Sequence, residues 1–128
     1  MLRIEPFDPS EADRVAALCV AEGWPSFTPQ NVATALCAPG VIALTAHDDG
    51  ELVGVAELLT DGIVIAYLGL LVVARHARRR GVGRSLVGEL FARCGLSRID
   101  LLSEVDATAF YESLPHKVKP GYRIYPAD

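Results

Sequence analysis

The sequence lacks several features that would assign it to a large class of proteins. Its three cysteines are odd in number and include no Cys-x-x-Cys pair, which argues against a disulfide framework and a zinc cluster. Its longest uncharged apolar run, residues 63–74, is well short of the ~20 apolar residues that span a bilayer as a helix. Four acidic residues among the first thirteen interrupt the apolar region that a signal peptide needs. These absences favour a cytoplasmic protein with no membrane partner and no metal.

The composition is that of one domain with an apolar core. The chain has 128 residues, of which 51% are hydrophobic and 22% are charged. Disordered sequences have a lower hydrophobic fraction relative to their charge, so this composition predicts a folded chain. Its length suits a single domain over residues 1–128.

Charge is distributed unevenly along the chain. The net charge is −4, but residues 1–61 carry ten acidic and two basic residues, whereas residues 62–128 carry six acidic and ten basic residues. Five of those basic residues lie between Arg75 and Arg84. A short basic segment on an acidic chain favours a small anionic ligand over a long polyanion, and an aromatic content of 7% offers little for nucleic-acid stacking.

Local patterns predict helices and strands along the whole chain. Asp8-Pro9 with Glu11 indicates a capping box that begins a first helix, and Thr28-Pro29 begins a second. Alternating or β-branched segments predict strands over residues 2–6, 41–47, 52–59, 63–73, 98–103 and 122–125. Helical spacing from Gly81 to Gly95 and a start at Asp106 predict two further helices.

The order of these elements predicts an α+β fold. The strand at residues 63–73, buried on both faces, the following helix and the strand at residues 98–103 form a crossover, so their strands should be parallel neighbours. The earlier hairpin should be antiparallel. We therefore expect a three-layer α/β/α arrangement around a mixed, mostly antiparallel sheet with one parallel β-α-β crossover.

The segment from Val73 to Arg84 joins the end of a strand to the start of an amphipathic helix. Gly81 and Gly83 let the backbone approach a ligand, while the helix N-terminus and the arginines supply positive charge. Leu86 stands where a dinucleotide fingerprint needs its third glycine, and no Gly-Lys-Ser/Thr follows. The alternative is a solvated turn, but the coincidence of strand, loop and helix favours a phosphate-binding loop.

These residues resemble a known family. Arg78-x-x-Gly81-x-Gly83 is similar to the acyl-CoA-binding signature of the GNAT N-acetyltransferase superfamily, and the capped N-terminal helices, the Asp49-Gly50 hairpin and Phe110-Tyr111 stand in that superfamily's order. The resemblance covers nearly the whole chain. It implies an acetyl-CoA-dependent transfer of an acetyl group to a primary amine, with acetyl-CoA as co-substrate, in a cleft where two strands splay apart.

The resemblance also implies a set of coenzyme-binding residues. Backbone groups at the end of the strand would hold the pantetheine arm, and amides of the loop would hold the diphosphate. The residues that match are Leu71, Val72, Val73, Arg78, Arg79, Arg80, Gly81, Val82, Gly83, Arg84 and Ser85.

Two catalytic residues are expected. Tyr111 matches the tyrosine that protonates the coenzyme A sulfur, which suits a phenol of pKa about 10 beside a thiolate of pKa about 8.5. Its alternative role is packing beside Phe110. For the general base, Glu57 is the choice because a carboxylate is costly within an apolar strand unless it is used.

The sequence allows more than one general base, more than one acceptor and more than one oligomeric state. Other candidates for the base are Glu104, Asp106, His76, His116 or a chain of water molecules. Trp24 and Phe27 either line an acceptor pocket or cover the core. The acceptor is a small amine, a protein lysine or a protein N-terminus, and a coenzyme-binding sensor without turnover is the alternative function. A homodimer formed through the C-terminal strands is a further hypothesis, and no nucleic-acid partner is expected.

Overall fold

The computed structural model describes residues 1–127. Four strands, β1 (Leu2–Pro6), β2 (Val41–Asp48), β3 (Glu51–Thr60) and β4 (Ala66–Val73), form the sheet. Four helices are α1 (Ala12–Ala21), α2 (Pro29–Ala35), α3 (Val82–Cys94) and α4 (Thr108–Glu112). Single 3-10 turns at Pro9–Glu11, Arg75–Ala77 and Val105–Ala107 precede α1, the basic loop and α4.

The sheet has the order β1-β2-β3-β4, and each pair of neighbours is antiparallel. One face packs against α1 and α2 through a cluster that includes Val15, Cys19 and Val55, and the other packs against α3 through Leu44, Leu58 and Leu86, among others. Helices on both faces of a mainly antiparallel sheet confirm the predicted α+β fold.

The N-terminal helix starts differ from the prediction in one respect. Asp8 caps the first turn by accepting a hydrogen bond from the Ser10 amide at 2.9 Å, as expected. Glu11 does not complete a capping box: its carboxylate lies 2.8 Å from His47 Nε2 in the interior. That buried partner competes for the carboxylate, so the first turn is a 3-10 turn and α1 begins at Ala12. The second start is confirmed, since Thr28 Oγ1 accepts from the Asn31 amide at 3.2 Å.

The predicted strand at residues 63–73 is shorter and more exposed than expected. The Asp61 carboxylate accepts hydrogen bonds from the amides of residues 63, 64 and 65 at 2.8, 2.8 and 3.0 Å, which holds that segment in a turn. Ile63 is 76% exposed there, and β4 begins only at Ala66. Along β4, buried residues alternate with partly exposed ones, so the prediction of burial on both faces is wrong. β4 is the last strand of the sheet, which explains the exposure.

The predicted parallel strand at residues 98–103 is reduced to one bridge between Tyr67 and Asp100. The Leu68 amide donates to Asp100 O at 2.9 Å and the Asp100 amide donates to Ala66 O at 3.0 Å. In residues 1–127, no further backbone hydrogen bond joins β4 to the segment that follows Asp100. The two segments therefore separate toward the C-terminal end of β4.

The predicted strand at residues 122–125 is absent from the described part of the chain. Tyr122 and Ile124 are 82% and 89% exposed, and the segment forms no backbone hydrogen bond with a strand among the described residues. A strand without a partner gains no ladder of hydrogen bonds, which explains why the β-like pattern does not produce one here.

Candidate active site

Two adjoining cavities lie where β4 and the following segment separate. The larger, of about 570 Å³, lies against the basic loop, the start of α3 and α4. The smaller, of about 350 Å³, lies against the end of α1 and the segment before α4. Both are lined by Leu71, Val73, Arg78, Asp106 and Ala107. A molecule in one cavity can therefore touch a molecule in the other along the end of β4.

The loop beside the larger cavity presents unpaired backbone amides. Within the described residues, the six consecutive N–H groups from Arg79 to Arg84 donate to no protein acceptor, and the first bond of the helix runs from the Ser85 amide to Gly81 O at 2.9 Å. Gly81 adopts φ +79°, a left-handed conformation that favours glycine. Free amides at the positive end of a thirteen-residue helix make a site for an anion such as a phosphate.

Gly83 has a packing role in this site. A Cβ atom added there would lie 3.1 Å from both Cε1 and Cζ of Phe110, whereas a Cβ at Gly81 would meet nothing within 4 Å. The missing side chain at Gly83 lets α4 approach α3. Glycine is thus favoured at Gly81 by the backbone conformation and at Gly83 by the lack of room for a side chain beside Phe110.

The arginines of the loop differ in what they contact. Arg78 donates from Nη2 to the Glu22 carboxylate and from Nε to Val73 O at 3.3 Å. Arg80 pairs with Asp48 at 3.3 Å, and Arg84 donates to Ser113 Oγ at 3.3 Å. Arg79 lines the larger cavity and has no ion pair among residues 1–127. Its charge is therefore available to an anion in that cavity.

Tyr111 reaches the larger cavity from the second half of α4. Its ring is half-buried and meets the Phe110 ring edge-on, with 5.1 Å between the centroids. Burial raises the pKa of the Tyr111 phenol, so the hydroxyl stays protonated at neutral pH and can donate a proton into the cavity. Tyr111 therefore packs beside Phe110 and also lines the larger cavity, and its role as a proton donor stays a prediction.

Glu57 lies elsewhere, on the face of the sheet that packs against α1. It is 8% exposed, and a Cβ at Gly69 would come within 2.9 Å of its Oε1. Burial raises the pKa of the Glu57 carboxyl, and burial together with the negative charge of Glu57 raises the pKa of the Cys19 thiol to about 11. Glu57 lines neither of the two cavities described here, so the structure does not place it beside Tyr111.

The smaller cavity is acidic and has an aromatic wall. It is lined by the carboxylate residues Glu22, Glu104 and Asp106 and by Trp24, whose ring meets Phe27 with 6.1 Å between the centroids. Of the three carboxylates, Glu22 pairs with Arg78, while Glu104 and Asp106 form no ion pair with any described residue. Asp106 does not cap a helix either, since it lies inside the 3-10 turn before α4.

The expected coenzyme residues mostly gather at the two cavities. Those that line the larger one are Leu71, Val73, Arg78, Arg79, Gly81, Val82, Gly83 and Arg84, and Val72 lines the smaller one. Arg80 and Ser85 line neither of these two cavities. Sequence reasoning missed Glu22, because a glutamate at a helix end is normally solvated and only the approach of Arg78 distinguishes it.

Comparisons with known proteins show the family and the fold of the chain. A family model described as an acetyltransferase (GNAT) domain matches residues 10–121. No curated protein is significantly similar in sequence. Among the described residues there is no cluster of three or more side chains suited to a metal ion, and no helix is long and apolar enough to cross a membrane.

Three solved structures illustrate the similarity of fold. The aminoglycoside 6'-N-acetyltransferase AAC(6')-Ih from Acinetobacter baumannii is 17% identical, with a TM-score of 0.80 over 100% of this chain and 99% of that one. The ribosomal-protein-alanine N-acetyltransferase from Brucella melitensis is 16% identical, with a TM-score of 0.78 over 100% of both chains. AAC(6')-Iy, in complex with the bisubstrate analogue CoA-S-monomethyl-acetylneamine, is 15% identical, with a TM-score of 0.79 over 100% of this chain and 99% of that one.

Proposed function

Since the chain belongs to the GNAT acetyltransferase family, we propose that it is an N-acetyltransferase that moves the acetyl group of acetyl-CoA directly to a primary amine. The observation that carries the proposal is the contact between two cavities of opposite character. Among the described residues, the larger cavity alone has the free amides, Arg79 and Arg84, and the smaller alone has the unpaired carboxylate of Glu104. Arg78, Asp106 and the end of β4 line both cavities. That arrangement suits an anionic acyl donor and a cationic acceptor that meet at a common wall.

The larger cavity suits coenzyme A. The amides from Arg79 to Arg84 would bind the diphosphate, and Arg79 offers the free charge for a phosphate oxygen. The backbone of β4 from Leu71 to Val73 pairs with β3 on one side, and on its other side it has no strand among the described residues. That open edge would bind the pantetheine arm. One solved neighbour, AAC(6')-Iy, carries a CoA-containing analogue, which supports this role for the fold.

The smaller cavity suits a protonated amine. Glu104 and Asp106 attract an ammonium group, and the face of Trp24 can contribute a cation–π contact. The named acceptors of two neighbours, an aminoglycoside and the alanine of a ribosomal protein, are both amines. A cationic amine is therefore the proposed class of acceptor.

Acetyl transfer from acetyl-CoA to an ammonium involves three proton movements: the nitrogen loses one proton before attack and a second as the amide forms, and the sulfur gains one. The neutral amine attacks the thioester carbonyl, and the departing sulfur takes a proton from the Tyr111 hydroxyl. For removal of the proton from the ammonium we propose Glu57, whose pKa is raised by burial. Because Glu57 lines neither cavity, a chain of water molecules would have to carry the proton to it. Asp106 is the competing candidate because it lines both cavities.

The experiment is a thiol-release assay with acetyl-CoA and a panel of primary amines, together with calorimetry of coenzyme binding. We expect release with at least one cationic amine, and a loss of kcat of about a hundredfold or more in Tyr111→Phe with unchanged coenzyme binding. Comparison of Glu57→Gln with Asp106→Asn identifies the base. Substitution of the base should remove the fall in rate at acidic pH that its protonation causes, whereas substitution of the other residue should leave that part of the pH–rate profile unchanged. Tight coenzyme binding without release from any amine would instead indicate a sensor.

A further inference from the structure

The side-chain primary amines of this chain are confined to one short segment. Lys117 and Lys119 are its only lysines, and the other ten basic residues are arginines. The remaining primary amine, the α-amino group of Met1, is hydrogen-bonded to Asp49 and lies 3.4 Å from Asp48. Any acetyl group that the chain places on its own side chains as an amide must therefore fall on Lys117 or Lys119.

These lysines lie in an accessible, extended piece of chain. Both are exposed, and within residues 1–127 neither forms an ion pair or hydrogen bond. Pro115 and Pro120 flank the segment and lack the amide that a helix or strand would use. No backbone–backbone hydrogen bond involves residues 115–127, so the segment can change its path at little cost.

The segment is held at both ends near the rims of the two cavities. Before it, Ser113 lines the larger cavity and accepts a hydrogen bond from Arg84 at 3.3 Å. After it, Gly121 packs so closely on Leu102 that a Cβ there would lie 2.2 Å from Leu102 Cδ2. Leu102 stands two residues before Glu104, which lines the smaller cavity.

Chain length and charge both favour an encounter with the cavities. Lys117 follows Ser113 by four residues, a span of at most about 14 Å when fully extended. Glu104 and Asp106, the carboxylates without ion pairs among the described residues, supply the negative charge that attracts an ammonium group.

We propose that Lys117 and Lys119 are acceptors for the chain's own acetyl transfer, so that this segment is a site of self-acetylation. The proposal rests on the proposed function. The ε-ammonium first loses a proton, its nitrogen forms a C–N bond with the acetyl carbon, and the C–S bond of acetyl-CoA breaks. The sulfur leaves with the electron pair and receives a proton from Tyr111. The nitrogen loses its second proton to water as the amide forms, and water returns a proton to Tyr111. The products are an acetyl-lysine and free coenzyme A, and each event removes one positive charge from the segment.

The test is mass spectrometry of the full chain after incubation with acetyl-CoA, followed by peptide mapping. We expect the mass of one or two acetyl groups, located at Lys117 and Lys119, and no such gain in the double variant Lys117→Arg, Lys119→Arg. In Tyr111→Phe the rate should fall about a hundredfold or more. A synthetic peptide of residues 115–120 incubated alone with acetyl-CoA measures the uncatalysed background.

The outcomes separate this proposal from the proposed function. Suppose that the double variant and the wild type both release thiol with added amines, but Lys117 and Lys119 of the wild type gain no acetyl group. The self-acetylation proposal then fails, and the proposed acetyltransferase function is retained. If neither thiol release nor labelling occurs, both fail. Equal labelling of wild type, Tyr111→Phe and the free peptide would show spontaneous chemistry and overturn the proposal.

Discussion

Arg78, in the wall that the two cavities share, donates a hydrogen bond to Glu22 of the smaller cavity. The guanidinium also donates to Val73 O at 3.3 Å, so it connects the end of β4 to the end of α1. Arg78 lines both cavities, whereas Glu22 lines only the smaller one. The position of one side chain therefore fixes part of both binding surfaces.

Arg78→Lys should weaken the binding of both substrates. A lysine ammonium cannot reproduce the planar fork that bonds Glu22 and Val73 at once. We expect KM for acetyl-CoA and KM for the amine each to rise about fivefold to twentyfold, since a hydrogen bond to a charged group is worth roughly 1–2 kcal/mol. Steady-state kinetics with each substrate varied in turn measures both values. A change in one KM alone would contradict the shared-wall role.

Arg79→Ala should affect only the coenzyme. Arg79 lines the larger cavity but not the smaller one, and its charge has no ion pair among the described residues. We expect the Kd of acetyl-CoA to rise about threefold to tenfold at low salt, with a smaller difference at high salt because screening weakens the contact. Arg98→Ala is the matched control, since Arg98 is exposed and lies outside both cavities. Equal effects of the two substitutions would show that general charge, not position, matters.

Three glycine-to-alanine substitutions should give three different results. Gly81→Ala places a side chain at φ +79° and should lower the free energy of unfolding by about 1–2 kcal/mol. Gly88→Ala, in open space inside α3, should raise it by about 0.5–1 kcal/mol. Gly83→Ala forces Phe110 to move and should lower kcat about tenfold by displacing the adjacent Tyr111.

Urea unfolding monitored by circular dichroism, together with thiol release, measures these effects. Gly88→Ala is the control for helix propensity in α3. A Gly83→Ala variant with wild-type kcat would show that the contact between Gly83 and Phe110 does not position Tyr111.

Glu57→Gln should change how stability depends on pH. Burial raises the pKa of Glu57 in the folded state, so the folded chain binds more protons than the unfolded chain between the two pKa values. The stability of wild type relative to Glu57→Gln should therefore be greatest near pH 4, below the unfolded pKa, and fall as the pH rises toward 7. Thermal unfolding across this range measures the difference.

Glu112→Gln is the control for this experiment, because it makes the same charge change at a solvent-exposed position on α4. A constant difference between wild type and Glu57→Gln at every pH would contradict a raised pKa for Glu57.

Local signals in the sequence predicted much of this structure. Asp8 and Thr28 cap their helices as their spacing indicates, the hairpin turns at Asp49-Gly50, and the helix after the basic loop begins at Val82. Each of these depends on interactions between residues close in sequence, so a short window contains the needed information.

Features that depend on distant partners were not predictable in this way. His47 draws the Glu11 carboxylate away from the helix start, across 36 residues. Arg78 gives Glu22 a role that no neighbour in sequence suggests. The parallel strand predicted after α3 shrinks to a bridge at Asp100, because apolar pattern alone does not specify how many ladder bonds form.

The lone bridge between Tyr67 and Asp100 lies at one end of the cleft. Among the described residues, only two backbone hydrogen bonds join the segment after α3 to β4, and both lie at the end remote from Val73. Moving the C-terminal end of β4 away from the segment that follows Asp100 therefore breaks no backbone hydrogen bond between described residues. If this cleft holds the acyl group, as we propose, we expect it to admit groups bulkier than acetyl without disturbing the sheet. A preference for a short acyl chain would then come from the side chains that line the cleft.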